Sequence, residues 1–323
     1  AFFGGHVGVH TGLFLNADTE SELASVIGHE ITHVTQRHLA RSIEAQEKSS
    51  PATIAGLLGA ILLTIASPQA GMAALATTQA LATQSKINYT RLHEKEADRI
   101  GMQIMVDAGF DPNGAADFFG KLATRYRFTT KPPQMLLTHP LPEDRITDSR
   151  ARARSYPPLK LAPSLDYHLA RARIVARYAG INNDAALDWF ERQLKKAPKA
   201  LVPSLEYGQA LVYLDSKKLD KAEPILNKLI NSDPTNLFYL DAISDLHIEK
   251  KQPEVAIKEL KSALVRQPNN PVLTINYANA LIENEDLQEA VRVLQRYTHD
   301  NPNDTNGWHL LSKVNTSLGN SDE

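Results

Sequence analysis

A chain of 323 residues exceeds what one core usually serves, and its 42% hydrophobic and 22% charged residues are ordinary globular usage, so two domains are expected. The net charge of -2 gives no electrostatic case for nucleic acid. The absence of cysteine excludes disulfides and thiol catalysis and fixes no compartment.

No methionine start or signal-like segment precedes Ala1, so the chain is expected to be a fragment, with any export signal upstream. The first predicted helix runs from Glu20 to about Gln46. Thr19 and Glu22 have the spacing of a capping box, and Leu23, Val26, Ile27, Ile31 and Val34 follow at near-helical spacing. This helix carries His29-Glu30-Ile31-Thr32-His33. Positions i and i+4 share a helix face, so His29 and His33 can ligate one ion. Glu30 then sits beside the open coordination position, where it can take a proton from a metal-bound water and pass it to a leaving amine. This is the zinc-peptidase reading of HExxH, and the surrounding segments decide its weight.

Two histidines alone would hold zinc loosely, so a third protein ligand is expected. Glu44 lies 11 residues beyond His33 on the same predicted helix, roughly 16 Å away, and cannot reach. His38 faces elsewhere on that helix, and Gln36 and Leu39 stand where the metzincin pattern needs Gly and His. The segment from His93 to Gly101 offers Glu94 and Asp98, again i and i+4. Glu94 is the expected ligand, and Asp98, one turn on, the group that accepts a hydrogen bond from a ligand imidazole and fixes its tautomer.

Between Lys48 and Lys86 the chain has no charged residue, and Ala52 to Ala66 is almost wholly apolar. That dense part, about 15 residues, is short of the roughly 20 that a spanning helix needs. A single crossing would also put His33 and Glu94 on opposite sides of a bilayer. A helical hairpin turning near Ser67 to Gly71 meets both constraints, packed on or beside the active site in preference to dipping into a membrane surface.

Pro157, Pro158 and Pro163 break the helical pattern, which predicts domains at 1–155 and 164–323 joined by a linker at 156–163. Beyond it, Pro198, Pro234, Pro268 and Pro302 recur at 36, 34 and 34 residues, while Ala222, Ala256 and Ala290 keep the interval of 34, as do Leu226, Leu260 and Leu294. That is the tetratricopeptide period. Ala186, Phe190 and Pro198 suggest an earlier degenerate copy, and Trp308 to Leu318 begins a helix without a partner. Such repeats stack on their neighbours and leave a concave surface that usually holds protein segments.

HExxH followed by Glu-x-x-Ala-Asp at Glu94 to Asp98 resembles the M48 metallopeptidases, a gluzincin family. The resemblance implies an α+β metalloprotease domain, mainly α with a small β-sheet, ahead of an all-α tetratricopeptide solenoid. Phe3 to Leu13 is similar to the family's strand before the active-site helix. Gly4, Gly5, His6, Val7, Gly8, Val9 and His10 would form an edge strand along which extended substrate adds its backbone. Thr138 to Arg145 is similar to the family's His-Pro...Arg motif. His139 would stabilise the oxyanion, with Arg145 as support, or would take the open zinc position and hold the enzyme latent. Arg145 reads equally as a surface ion pair with a nearby carboxylate. The remaining histidines, His38 and His93 among them, read as packing or solvated residues.

An M48 domain followed by these repeats resembles the β-barrel assembly-enhancing proteases of Gram-negative bacteria. That resemblance implies one Zn²⁺ per chain, a periplasmic location, unfolded or stalled outer-membrane proteins as substrates, and repeats that engage the barrel-assembly machinery. Two other readings stand beside it: a chaperone or adaptor of barrel assembly that does not need proteolysis, and a membrane-embedded protease, which rests on the apolar hairpin alone. Peripheral membrane contact is compatible with the first.

Overall fold

The structure, a computed structural model, describes residues 5–128, 139, 143–157 and 159–319. The chain divides into two compact units, Ala1–Ser164 and Leu165–Glu323.

The first unit contains helices α1 (Thr11–Asn16), α2 (Glu20–Thr35), α3 (His38–Ala66), α4 (Pro68–Asp107), α5 (Asn113–Tyr126) and α6 (Glu143–Ala153). Among the described residues there is no strand, so the expected α+β domain with a small sheet is corrected to an all-α arrangement. The proposed edge strand fails with it. Gly4 lies outside the described residues, Gly5 sits in a 3₁₀ turn at φ 81°, and His6 to His10 are irregular. A strand needs a neighbour for its backbone groups, and no extended segment is described to provide one. His10 instead caps α1, its Nδ1 accepting the Gly12 N–H at 3.0 Å.

Helix α2 starts as its sequence predicts: Thr19 Oγ1 accepts from Glu22 N–H at 3.2 Å, and Glu22 reaches back to the Asp18 N–H at 2.7 Å. Its buried face differs from the expected apolar stripe. Ser21, Ser25, Gly28 and Thr32 are buried, whereas Leu23, Ile27, Ile31 and Val34 are only half-buried. Small residues win because α2 and α4 meet backbone to backbone. A Cβ on Gly28 would stand 2.7 Å from the Gly101 carbonyl oxygen, and one on Gly101 would stand 2.8 Å from the His29 amide nitrogen.

The predicted helix from Glu20 to Gln46 is broken. Arg37 adopts left-handed backbone at φ 53°, at a cost of about 1–2 kcal/mol for a residue with a Cβ, and α3 begins anew at His38. Helices α3 and α4 then form the expected hairpin. Its turn is at Ser67, whose hydroxyl caps α4 and is followed by Pro68 at the first helical position. The base of the hairpin holds His38 and Glu94, but Ile54, Leu58, Ile61, Leu62, Ile65, Met72 and Leu81 farther out are exposed. The hairpin thus stands beside the site at its base, while farther out its two helices pack on each other and leave an apolar outer face. By length and composition, α3 could cross a membrane, yet the hairpin returns the chain so that α2 and α4 lie together.

The second unit pairs α7 (Leu165–Tyr178) with α8 (Asn183–Leu194), α9 (Val202–Asp215) with α10 (Leu219–Ser232), α11 (Leu237–Glu249) with α12 (Pro253–Arg266), and α13 (Pro271–Glu283) with α14 (Leu287–Asp300), followed by α15 (Thr305–Ser317). The 34-residue positions are its core: Ala222, Ala256, Ala290, Leu226, Leu260 and Leu294 are all buried, as are Ala186 and Phe190 of the degenerate first copy. Lys217, Lys251 and Glu285 repeat the same left-handed turn between paired helices at φ 58°, 59° and 62°.

Because two backbones touch at Gly101, Gly101→Ala should destabilise the first unit by about 1–3 kcal/mol, read as a lower denaturation midpoint. Gly59→Ala, at a helix position with nothing within 4 Å of its added Cβ, should leave the midpoint unchanged or raise it slightly.

Candidate metal centre

Three segments converge at the N-terminal unit's polar centre. Helix α2 supplies His29, Glu30 and His33; α4 supplies Glu94 and Asp98; and His139 arrives from the chain before α6. One ligand atom from each of His29, His33, Glu94 and His139 lies within 4.8 Å of the others. His29 Nε2 is 2.9 Å from His33 Nε2 and 3.4 Å from His139 Nδ1. Glu94 Oε1 is 3.3 Å from His33 Nε2 and 2.9 Å from His139 Nδ1. Glu30 Oε1 lies 3.3 Å from His139 Nε2, at the edge of the same cluster.

The supports are as specific as the donors. Asp98 Oδ1 is 2.9 Å from His29 Nδ1; a carboxylate can only accept, so that nitrogen donates, and Nε2 is the nitrogen turned toward the centre, free to bind a metal once its own proton is displaced. Asp98 is held in turn by Arg145, which donates through Nε to Oδ2 and through Nη2 to Oδ1, both at 2.7 Å. The third guanidinium nitrogen, Nη1, stands 2.9 Å from Glu94 Oε2. Arg145 is 3% exposed and its guanidinium lies over the Phe119 ring at 5.0 Å. It therefore braces two carboxylates from inside the fold, which differs from the surface ion pair.

The electrostatics suit a cation. Glu94 and Asp98 share the guanidinium of Arg145, and Glu30 adds a third carboxylate at the edge of the cluster. Burial pulls the His29 imidazole toward neutrality, but the Asp98 and Glu94 carboxylates outweigh it and lift it to about 9. Burial pushes Glu94 up, and the hydrogen-bonding imidazoles of His139, His29 and His33 overcome it and hold the carboxyl well below its usual range. Asp98 is likewise held low, against burial, by His29 and Arg145. Carboxylates that draw a proton onto His29 this strongly also favour a divalent ion in its place. Two imidazoles, a carboxylate and a third imidazole are a donor set that fits Zn²⁺.

Glu44, set aside from the sequence, is exposed and paired with Lys48 at 2.6 Å. The sequence reading missed the surroundings of His33. His38 is buried, its Nδ1 lies 2.9 Å from His33 Nδ1, and its ring stacks on His93 with centroids 4.2 Å apart. Burial lowers His38 against the pull of Glu96, and lowers His93 to about 4. A continuous helix would place residues five apart on different faces; the left-handed turn at Arg37 brings them together, and no glycine marks it in the sequence.

Comparison with known proteins places this geometry. The description "Peptidase family M48" matches residues 1–153, and tetratricopeptide repeats match residues 207–236 and 247–314. The chain is 64% identical over 323 residues to the putative beta-barrel assembly-enhancing protease of Vibrio cholerae, covering all of this chain and 67% of that protein. It is 44% identical over 323 residues to the beta-barrel assembly-enhancing protease of Yersinia pestis and 43% identical over 327 residues to that of Escherichia coli, covering all of this chain and 66% of each. The chain belongs to peptidase family M48, in the branch that carries tetratricopeptide repeats. It spans about two thirds of the length of these relatives.

Removing the brace should be costly whatever the metal does. Arg145→Gln leaves Asp98 and Glu94 without their shared cation and should destabilise the unit by about 3–5 kcal/mol, measured by denaturant unfolding of the metal-free protein.

Proposed function

We propose that the chain is a zinc endopeptidase of periplasmic quality control, which degrades unfolded or stalled outer-membrane barrel proteins and assists their assembly. The observation that carries this reading is the convergence of His29, His33, Glu94 and His139, with Asp98 fixing the His29 tautomer. Family membership supports peptide hydrolysis, and what the relatives are known as, beta-barrel assembly-enhancing proteases, supports the substrate class, the assembly role and hence the compartment.

His29, His33 and Glu94 would hold one Zn²⁺ per chain, and His139 would complete the donor set at rest. Zinc supplies Lewis acidity toward water and the scissile carbonyl. Glu30 lies at the edge of the donor cluster, where its carboxylate can accept the proton of an attacking water and deliver it to the departing amine. Asp98 and Arg145 keep His29 and Glu94 aimed as substrate enters. With His139 among the donors, cleavage requires that it withdraw, so the resting enzyme is latent. Once displaced, His139 remains close to Glu30 and could turn toward the reacting carbonyl.

We assign 1–155 to the peptidase, 156–163 to the linker and 164–323 to the repeats, whose partner would be the barrel-assembly machinery. The stacked helix pairs support that role, since such arrays expose a surface for protein segments. Peripheral membrane contact fits the exposed apolar residues of the α3/α4 hairpin. The adaptor alternative shares these surfaces and differs only in dispensing with Glu30.

One experiment separates the readings: zinc content and cleavage of an unfolded outer-membrane barrel protein, compared across the parent, Glu30→Gln and His139→Ala. Glu30→Gln should keep one equivalent of zinc and lose cleavage by about 10²–10⁴-fold, and normal cleavage would remove Glu30 from the mechanism. His139→Ala should keep zinc and cleave faster; slower cleavage would make His139 a transition-state stabiliser instead. Full rescue of barrel maturation by Glu30→Gln in a deletion strain would favour the adaptor.

A further inference from the structure

A second chain of polar groups leads away from the donor cluster through His33. It starts at His33 Nδ1, which lies 2.9 Å from His38 Nδ1. His38 Nε2 lies 3.0 Å from Glu96 Oε2, and Arg41 Nη1 donates to that same oxygen at 2.9 Å. Face-to-face stacking on His93, with an interplanar angle of 2°, holds the His38 ring, and Tyr89 packs against His93 at 4.2 Å between ring centroids. His38 is 3% exposed, so water does not compete for either of its nitrogens.

Proton accounting gives this chain a direction. The Glu96 carboxylate is an acceptor, so His38 Nε2 carries a proton and donates to it. The imidazole tautomer that donates from Nε2 to Glu96 has its lone pair on Nδ1, facing His33. Two ring nitrogens 2.9 Å apart share one proton, which must therefore come from His33 Nδ1. His33 is left with its lone pair on Nε2, the nitrogen that stands 2.9 Å from His29 Nε2 and 3.3 Å from Glu94 Oε1. The opposite arrangement, with His38 donating through Nδ1, would put the His33 proton on Nε2 and abolish it as a ligand.

We infer that His38, backed by Glu96, is a positioning residue that sets the tautomer and ring orientation of His33, as Asp98 does for His29. The inference rests on the metal-site reading above. It also accounts for the break at Arg37: on an unbroken helix, positions five apart are separated by roughly 140° around the axis, and His38 could not meet His33. Helix α4 then supplies three carboxylates with separate tasks, Glu94 among the donors, Asp98 behind His29, and Glu96 behind His38.

The test uses the full chain loaded with zinc, with metal release to a chromogenic chelator as the readout and circular dichroism as the check on folding. His38→Ala should release zinc about 10-fold to 100-fold faster than the parent. His38→Asn, whose side-chain oxygen can accept from His33 Nδ1, should recover much of that loss, and Glu96→Gln should fall between parent and His38→Ala. In the zinc-loaded parent, a long-range ¹H–¹⁵N spectrum should show a protonated His33 Nδ1. An unprotonated Nδ1, or His38→Ala that holds zinc as firmly as the parent, would overturn the inference while leaving the metal site standing. His38→Asn no better than His38→Ala would reduce His38 to packing and overturn it equally. A parent that takes up no zinc would overturn both this inference and the metal-site reading.

Discussion

Backbone contact between α2 and α4 at Gly28 and Gly101 determines where every donor from these two helices falls. His29 follows Gly28 directly, and Glu94 and Asp98 precede Gly101 by two turns and one turn of the same helix. With no side chain between the axes, an imidazole from one helix and a carboxylate from the other reach hydrogen-bond distance without stretching either. The same closeness explains why serine, glycine and threonine, and not leucine or isoleucine, make the buried face of α2.

That polar centre is expensive to bury, and its cost is met by pairing. Arg145 engages two carboxylates at once, in the fork geometry that only a guanidinium offers, and Phe119 covers its face. The Asp98 and Glu94 carboxylates draw a proton onto the His29 imidazole. A site of this kind exchanges protons for a divalent cation with little rearrangement, because the side chains that would receive the ion are already held by Asp98, Arg145 and the His38 stack. His139 joins from outside the helix pair.

The repeat unit obeys a different economy. Alanine and leucine at fixed 34-residue positions bury each helix against its neighbours, and a left-handed residue between paired helices sets the turn, whether it is a lysine or a glutamate. Each copy depends on the next for its core, so the array presents side chains of successive helices at regular spacing. A surface built by repetition can hold an extended partner while the chemistry stays with the peptidase unit.

The sequence alone determined the elements whose signals are local or periodic: the capped start of α2, the i and i+4 pairs His29/His33 and Glu94/Asp98, the hairpin turn at Ser67, and the repeats. Helical periodicity is written in the order of residues, and it survives without knowledge of neighbours. Tertiary structure decided what depends on which backbone approaches which. It gave Arg145 a buried carboxylate pair in place of a surface partner, left the apolar hairpin exposed, and allowed no strand among the described residues before α1. It also turned His38 toward His33 through a left-handed arginine that no glycine announces, because that backbone strain persists only where the surrounding contacts of His38, His93 and Glu96 compensate it.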